Sequence, residues 1–175
     1  MLAATCQLLL ETGLGGVTVD AVSERAGVAK AAIYRHWRTR SALLLEACLK
    51  LGSRRDAPDT GSLRVDLLVL ATDLASRLQA ASWAAVLPSI IDAAERDKKL
   101  AGMHARMHAE FVGTFRSVIE RAQAQAELSQ DEDPTDVVAA IVGPLFYRRW
   151  FSREVLDERF VRNVVDNVLA SNRRR

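Results

Sequence analysis

Apolar side chains recur every three or four residues along most of this chain, and turn-forming residues interrupt the pattern. This spacing is typical of amphipathic α-helices, whereas half-buried strands would alternate polar and apolar residues. Caps, glycines and prolines divide the chain into about nine helices. They are predicted over residues 1–12, 19–26, 30–37, 41–51, 63–80, 83–96, 97–127, 134–151 and 157–171. We find no convincing strand and no internal repeat, so the predicted fold class is all-α.

Individual residues predict where several of these helices begin and end. The first helix is expected to end at Gly13, Gly15 and Gly16. Gly27 is expected to supply the left-handed residue of a tight turn, and Pro88 to kink or split its helix. The side chains expected to cap helix starts are those of Thr18, Ser41, Ser82 and Asp133.

Residues 52–62, with the sequence GSRRDAPDTGS, form the best candidate for a domain boundary because they are poor in helix-forming residues. The prediction is an N-terminal three-helix domain with a helix-turn-helix over residues 1–51. A C-terminal helical ligand-binding and dimerisation domain follows over residues 62–175. The last three residues, 173–175, are expected to form a basic tail near a helix C-terminus.

The composition is that of an ordinary soluble protein, with 49% hydrophobic, 26% charged and 6% aromatic residues. The longest charge-free run, residues 78–91, is shorter than the roughly 20 apolar residues that span a bilayer. We therefore expect a cytoplasmic protein that does not contact the membrane.

The net charge is only +2, but the excess positive charge lies in the first fifty residues. Between residues 25 and 40 no acidic residue occurs, and the Lys and Arg side chains are Arg25, Lys30, Arg35, Arg38 and Arg40. A helix, a glycine turn and a second short helix that carries basic side chains are typical of DNA-binding proteins. The alternative is a solvated basic face on a generic helical domain, which explains the charges but not the order of Gly27, Tyr34 and His36.

The same residues resemble a known family. The segments 18–19, 26–28, 33–37 and 43–44 (TV, AGV, IYRHW and LL) are similar to the N-terminal domain of TetR/AcrR bacterial transcriptional regulators. The segment 143–148, GPLFYR, is similar to one class of TetR C-terminal domains. The resemblance implies a homodimer that grips palindromic double-stranded DNA. It also implies that the last two helices dimerise and that a bound small molecule spreads the DNA-binding parts apart.

Eight residues are predicted to contact DNA. By resemblance, Thr18, Tyr34, His36 and Arg40 match positions that hydrogen-bond phosphates, although His36 alternatively serves as a polar helix end. Lys30 and Arg35 are candidates for base edges because both side chains can pair with guanine. The small side chains of the remaining two positions, Ala31 and Ala32, allow close approach to the groove and contact with a thymine methyl group.

This sequence departs from the family's pattern in the recognition helix. Ala29 stands where a Ser or Thr usually caps that helix, and such a loss costs about 1 kcal/mol. Ala31 and Ala32 replace the common Gly-Thr pair. These changes are expected to alter sequence preference.

The last two predicted helices have apolar stripes wider than one core-facing helix needs. The expected dimer interface consists of Ile141, Leu145, Arg149, Val161, Val164, Val165 and Val168. The alternative is a monomer with a thick core.

Large apolar side chains on the middle helices form a candidate pocket for a small hydrophobic effector. They are Trp83, Leu87, Met103, Met107, Phe111, Phe115, Phe146 and Tyr147. At this spacing they also fit an ordinary core.

We therefore predict a dimeric DNA-binding transcriptional regulator, a repressor released from its operator by a small hydrophobic ligand. The alternative is a DNA-binding regulator that has no ligand and is controlled by a protein partner. No nucleophile elbow, phosphate loop or metal signature occurs, so no enzyme activity, cofactor or metal is expected. Cys6 and Cys48 are expected to be buried free thiols, and the His104–His108 spacing is only a weak metal signal.

Overall fold

The computed structural model describes residues 1–51 and 56–172, with all of their side chains except those of residues 81–85 and 172. Within these residues there are nine α-helices, one π-helical segment and no strand. The all-α prediction is therefore confirmed. The described chain forms two compact units. Unit one consists of residues 1–51 and 81–109, and unit two consists of residues 56–80 and 110–172.

The helices follow one another as α1 (Leu2–Gly16), α2 (Val19–Ala26), α3 (Lys30–His36), α4 (Arg40–Leu51), α5 (Leu63–Gln79), α6 (Ala81–Arg96), α7 (Lys98–Ala124), α8 (Pro134–Tyr147) and α9 (Glu158–Asn172). A π-helical turn, Arg148–Ser152, extends α8. None of the described helices is long and apolar enough to cross a membrane.

Unit one is built around α1, which packs against α2, α4 and α6. Its core consists of apolar side chains that are almost fully removed from solvent, including Leu9, Val17, Val22, Ile33, Leu44, Ile90 and Met103. Each such side chain stabilises the fold by about 1.5–3 kcal/mol relative to full exposure. The α2 helix contacts both α1 and α3, so it connects α3 to the centre of unit one.

Unit two places α5 against α8 and α9. Leu67, Ile119, Ile141 and Leu145 are among the fully buried side chains of its core. On the surface, Arg64 of α5 donates to both oxygens of Asp166 of α9, at 2.7 and 3.0 Å. The α5 helix is therefore fixed to α9 by both apolar and ionic contacts.

The predicted boundary at residues 52–62 falls partly outside the described residues, which resume at residue 56. From there the loop that precedes α5 is held to the rest of unit two by Asp66, which is only 2% exposed. Its carboxylate accepts hydrogen bonds from Thr60 N (3.0 Å), Thr60 Oγ1 (2.7 Å) and Arg121 Nη2 (2.7 Å). Arg121 also donates to the carbonyl of Pro58 at 2.5 Å. The predicted basic tail, residues 173–175, lies outside the described residues.

Several predicted helix ends need correction. The first helix does not end at Gly13 but continues to Gly16 across a kink, where Gly13 has φ 66° and ψ −172°. The helix α6 begins at Ala81, so Ser82 lies inside it and is not its cap, and Pro88 lies within one continuous helix instead of splitting it. The α4 cap is Thr39, whose Oγ1 accepts from Ala42 N at 3.1 Å, and not Ser41.

The α8 helix also differs from the prediction, which was a single α-helix that continues to Phe151. The α-helical hydrogen bonds end at Tyr147 and a π-helical turn replaces them up to Ser152. Arg153 then adopts a left-handed conformation with φ 55°. The predicted start is confirmed, since Asp133 accepts from Thr135 N at 2.7 Å and Pro134 occupies the first turn. That hydrogen bond lowers the pKa of the Asp133 carboxyl group.

Candidate DNA-binding interface

The turn between α2 and α3 has the tight geometry that its sequence predicts. Thr18 caps α2 by accepting a hydrogen bond from Ala21 N at 3.0 Å. Gly27 is left-handed, with φ 64° and ψ 34°, and donates to the carbonyl of Glu24. Val28 N donates to Ser23 O at 3.1 Å, and Ser23 Oγ donates to Val28 O at 2.6 Å. These bonds close the end of α2 and fix the direction in which α3 leaves.

Two apolar anchors and one polar bond hold α3 against the rest of unit one. Val22 of α2 and Ile33 of α3 are 0% and 1% exposed. At the other end of α3, Trp37 Nε1 donates to Glu46 Oε2 of α4 at 2.5 Å. The first residue before α3, Ala29, makes no side-chain capping bond. The helix is therefore held by its neighbours and not by its own cap.

This packing turns one side of α3 outward. Tyr34 is 50% exposed although it is a large aromatic residue. The outward face of α3, by which we mean Lys30, Ala31, Tyr34, Arg35 and His36, consists entirely of exposed residues, while Ala32 is half-buried. A short, buttressed helix with an exposed basic and aromatic face has the form of a major-groove recognition helix.

Not all of the positive charge near this face is free. Lys30 forms an ion pair with Asp20 of α2, and that hydrogen bond raises the pKa of the Lys30 ammonium group. Arg25 forms a bidentate ion pair with Glu11 of α1, in which Nη1 and Nη2 donate to Oε1 and Oε2 at 3.0 and 2.8 Å. This pair raises the pKa of Arg25 and lowers the pKa of Glu11. The sequence alone does not predict that Asp20 pairs with Lys30, because this contact depends on the turn between the two helices.

By contrast, Arg35 and Arg38 are exposed and form no ion pair or hydrogen bond with any residue that the structure describes. The ring of His36 lies 5.6 Å from that of Trp37, measured between centroids. Arg35 lies in the last turn of α3 and Arg38 lies just beyond it. Among the described residues, these two arginines supply unpaired positive charge to this surface.

Arg40, predicted to reach a DNA phosphate, is engaged inside unit one. Its Nε donates to Val17 O at 2.6 Å and its Nη2 donates to Leu14 O at 2.5 Å. These carbonyls lie at and just after the end of α1, where the helix leaves them without partners. Arg40 therefore ties α1 to α4, and three of its five N–H groups remain for any other partner.

Two family profiles match most of the chain. The profile for bacterial regulatory proteins of the tetR family matches residues 1–47. The profile for the tetracyclin repressor-like C-terminal domain matches residues 57–168. The chain belongs to the TetR family.

Relatives and solved structures support the same assignment. An HTH-type transcriptional regulator of Bacillus subtilis, YdeS, is 33% identical over 95% of this chain and 85% of its own length. The DNA-binding transcriptional repressor TetR of Mycobacteroides abscessus is 27% identical over 97% of this chain and 90% of its own length. The crystal structure of the TetR family transcription regulator SCO0332 covers 97% of this chain and 94% of its own, with a TM-score of 0.77 and 26% identity. The protein is thus a TetR-family transcriptional regulator with a DNA-binding domain, and this family consists of regulators and not of enzymes.

The residues predicted to line a ligand pocket fall in both units of this TetR-family protein. In unit one, Leu87 and Met107 are 8% exposed and Met103 is 0% exposed. In unit two, Phe115 is buried, while Phe111 and Phe146 are half-buried. The side chain of Trp83 lies outside those that the structure describes. The pocket remains a prediction for these residues.

Tyr147 requires a correction as a pocket residue. Its side chain is 62% exposed, and its ring stacks against that of Phe151 with a centroid distance of 5.6 Å and an angle of 11°. Phe151 itself is 76% exposed. The pair therefore lies on the surface of unit two.

The residues predicted for the dimer interface also need correction. Arg149 Nε donates to Leu78 O within unit two at 2.6 Å. The apolar members are buried in the core of a single chain, where each is at most 9% exposed: Ile141, Leu145, Val161, Val164, Val165 and Val168. They have little surface left to offer a partner.

Both cysteines and the His104–His108 pair lie on helices of unit one. Cys6 and Cys48 are both buried free thiols, as predicted, and burial raises the pKa of Cys48 to about 12. The rings of His104 and His108 lie 6.4 Å apart between centroids. Within the described part of the chain, no group of three or more His, Cys, Asp or Glu side chains is placed to hold a metal ion.

Proposed function

We propose that this regulator is a dimeric repressor that binds a palindromic operator through α3 and is released from it by a small hydrophobic ligand. The observation that carries the DNA-binding part is the outward face of α3, whose helix is packed against unit one through buried Val22 and Ile33. This packing matters because direct reading of bases requires hydrogen-bonding groups at fixed positions in the groove.

Within this proposal the contacts divide into two kinds. Tyr34, His36 and the Thr18 hydroxyl bind phosphates, while Arg35 and Lys30 read base edges. The Thr18 oxygen already accepts the capping bond from Ala21 N, so its hydroxyl hydrogen is the group that reaches a phosphate. Arg40 contributes mainly by holding the end of α1 close to Thr18.

For the dimer, the exposed side of α8 is a better candidate than its buried stripe. Ala139, Gly143 and Tyr147 recur every four residues and all are exposed. Small side chains allow two helices to approach closely, and the stacked Tyr147 and Phe151 add apolar surface at one end. Val155 beyond the π-helical turn is 68% exposed. A second copy of the chain that packs on this face would bury these apolar groups.

For the ligand, support comes from the large buried side chains on α7. Met103 and Met107, both buried in unit one, are the soft apolar side chains that hydrophobic ligands favour. The flavonoid-responsive regulator FrrA has a related fold, with a TM-score of 0.73 over 97% of this chain and 21% identity. An aromatic effector is therefore our first choice, and control by a protein partner is the alternative.

The DNA-binding proposal is tested by fluorescence anisotropy with a labelled random-sequence duplex of about 30 base pairs, at about 50–200 mM salt. We expect binding that weakens linearly on a log–log plot against salt concentration. On random DNA, which offers no matched base edge, the Arg35 guanidinium neutralises a phosphate, so Arg35→Ala should reduce the slope by about 0.9. Arg159→Ala removes an exposed arginine from α9 and serves as the matched control. No binding at low salt, or equal losses in both variants, would contradict the proposal.

The ligand proposal is tested by thermal unfolding with a panel of flavonoids and other hydrophobic aromatic compounds. A ligand at a hundred times its Kd should raise the Tm by about 5–10 °C if it binds only the folded protein. The same compound should lower the affinity for DNA. If no compound shifts the Tm, the alternative of control by a protein partner is favoured.

A further inference from the structure

The recognition helix begins with a cation that already has a partner. The Lys30 ammonium group is paired with the Asp20 carboxylate across the turn that joins α2 and α3. Both side chains remain open to solvent, at 59% and 71% exposure for Lys30 and Asp20 respectively. Lys30 is the first residue of α3, and residues at this end of a recognition helix contact base edges.

The position of Asp20 puts a negative charge close to the proposed path of the DNA backbone. It lies in the first turn of α2, two residues beyond Thr18, which is our candidate for a phosphate contact. A carboxylate here repels phosphates. It also keeps Lys30 from neutralising one, while Arg35 and Arg38 are free to do so among the residues that the structure describes.

We propose that Asp20 is a specificity-determining residue, which weakens binding to random DNA more than binding to the operator. This inference rests on the proposed DNA-binding function. On random DNA no correctly placed base edge accepts a hydrogen bond from Lys30. The ion pair with Asp20 therefore persists, and its carboxylate opposes binding. At the operator, a guanine edge accepts a hydrogen bond from Lys30 and replaces the carboxylate.

Loss of Asp20 would change the affinity for random DNA in opposite directions, depending on whether its role is to determine specificity or only to stabilise the fold. If Asp20 only stabilised the start of α2, its loss would loosen the helix-turn-helix and weaken binding to every DNA. If it restrains Lys30, its loss strengthens binding to random DNA. A gain in affinity cannot arise from partial unfolding of the DNA-binding surface.

The test is the affinity of Asp20→Asn for a random-sequence duplex, measured by anisotropy as a function of salt. An exposed ion pair is weak, so freeing Lys30 should raise the affinity about two- to fivefold. The log–log salt slope should steepen by about 0.9, which corresponds to one additional phosphate contact. On a duplex chosen by selection from a random library, the gain should be smaller, so that the ratio of operator to random affinity falls.

Two further variants make the result specific to Lys30. Asp92→Asn is the matched control, because it frees Arg96 from an equally exposed pair on α6 and should leave the affinity unchanged. In a Lys30→Gln background, Asp20→Asn should give a smaller gain, which comes only from removing the repulsion between the carboxylate and phosphates. A gain of the same size without Lys30, or an Asp20→Asn protein that binds random DNA no better than wild type, would overturn the inference. If the wild-type protein binds no duplex at low salt, the proposed function itself fails, which is a different result.

Discussion

Arg35 and Arg40 carry the same guanidinium group, and their surroundings give them different roles. Arg35 is exposed on α3, whereas Arg40 is half-buried and bonded to the carbonyls of Leu14 and Val17. The basic residues themselves could be identified from the sequence and the family resemblance. Which of them are already engaged could not, because the partners of Lys30 and Arg40 are 10 and 23–26 residues away and meet only in the folded unit.

Replacement of Arg40 by alanine is expected to destabilise the protein. The change removes two charge-assisted hydrogen bonds and leaves two carbonyls at the end of α1 without partners. We expect a loss of about 1–3 kcal/mol in the free energy of unfolding, measured by urea denaturation. Arg38→Ala, at an exposed neighbouring position, should stay within about 0.5 kcal/mol of wild type. An Arg40→Ala protein that is as stable as wild type but binds DNA less tightly would instead support the phosphate contact.

On the scale of single helices, the local sequence determines where several of them begin or end. Thr18, Gly27 and Asp133 act as predicted, because a cap or a left-handed turn needs only the adjacent backbone. The choice of Thr39 over Ser41, and the change from α- to π-helix after Tyr147, were not predicted. Both depend on the path of the chain through neighbouring helices, which the local pattern does not contain.

The turn at Gly27 gives a prediction at this scale. A Cβ atom at Gly27 would meet nothing within 4 Å, so the cost of Gly27→Ala is conformational and comes from φ 64°. We expect a loss of about 1 kcal/mol in the free energy of unfolding. The control is Gly102→Ala within α7, which also has open space but a helical backbone. It should stabilise the protein by up to about 1 kcal/mol. Equal effects of the two substitutions in a thermal unfolding experiment would contradict this explanation.

On the scale of the whole molecule, the sequence pattern predicted that the wide apolar stripes of α8 and α9 are buried, and it assigned their burial to contact with a second chain. Within unit two, α5 covers them in the same chain. A stripe's width shows how much surface must be buried, and it does not show which chain buries it. The stripe of Ala139, Gly143 and Tyr147 carries no strong hydrophobic signal in the sequence, so the fold alone shows that these three residues are exposed together.

The proposed dimer face can be tested with a substitution that a single chain tolerates. A Cβ atom at Gly143 would meet nothing within 4 Å in one chain, and Gly143 is exposed, but a large side chain there would separate two helices packed face to face. We expect Gly143→Arg to weaken dimerisation at least about tenfold, measured by sedimentation velocity, with no loss of helical content. Gly102→Arg introduces the same side chain at another open, exposed glycine and should leave the dimer intact. An unchanged dimer in Gly143→Arg would place the interface elsewhere.

We propose that two copies of this protein read DNA through α3. Binding-site selection from a random double-stranded library, followed by footprinting of the enriched sequences, tests this proposal. We expect a palindrome whose half-sites lie about one helical turn apart, with base preference relaxed within each half-site for Arg35→Ala. Enrichment of sequences without two-fold symmetry, or the same preferences in Arg35→Ala as in wild type, would contradict it.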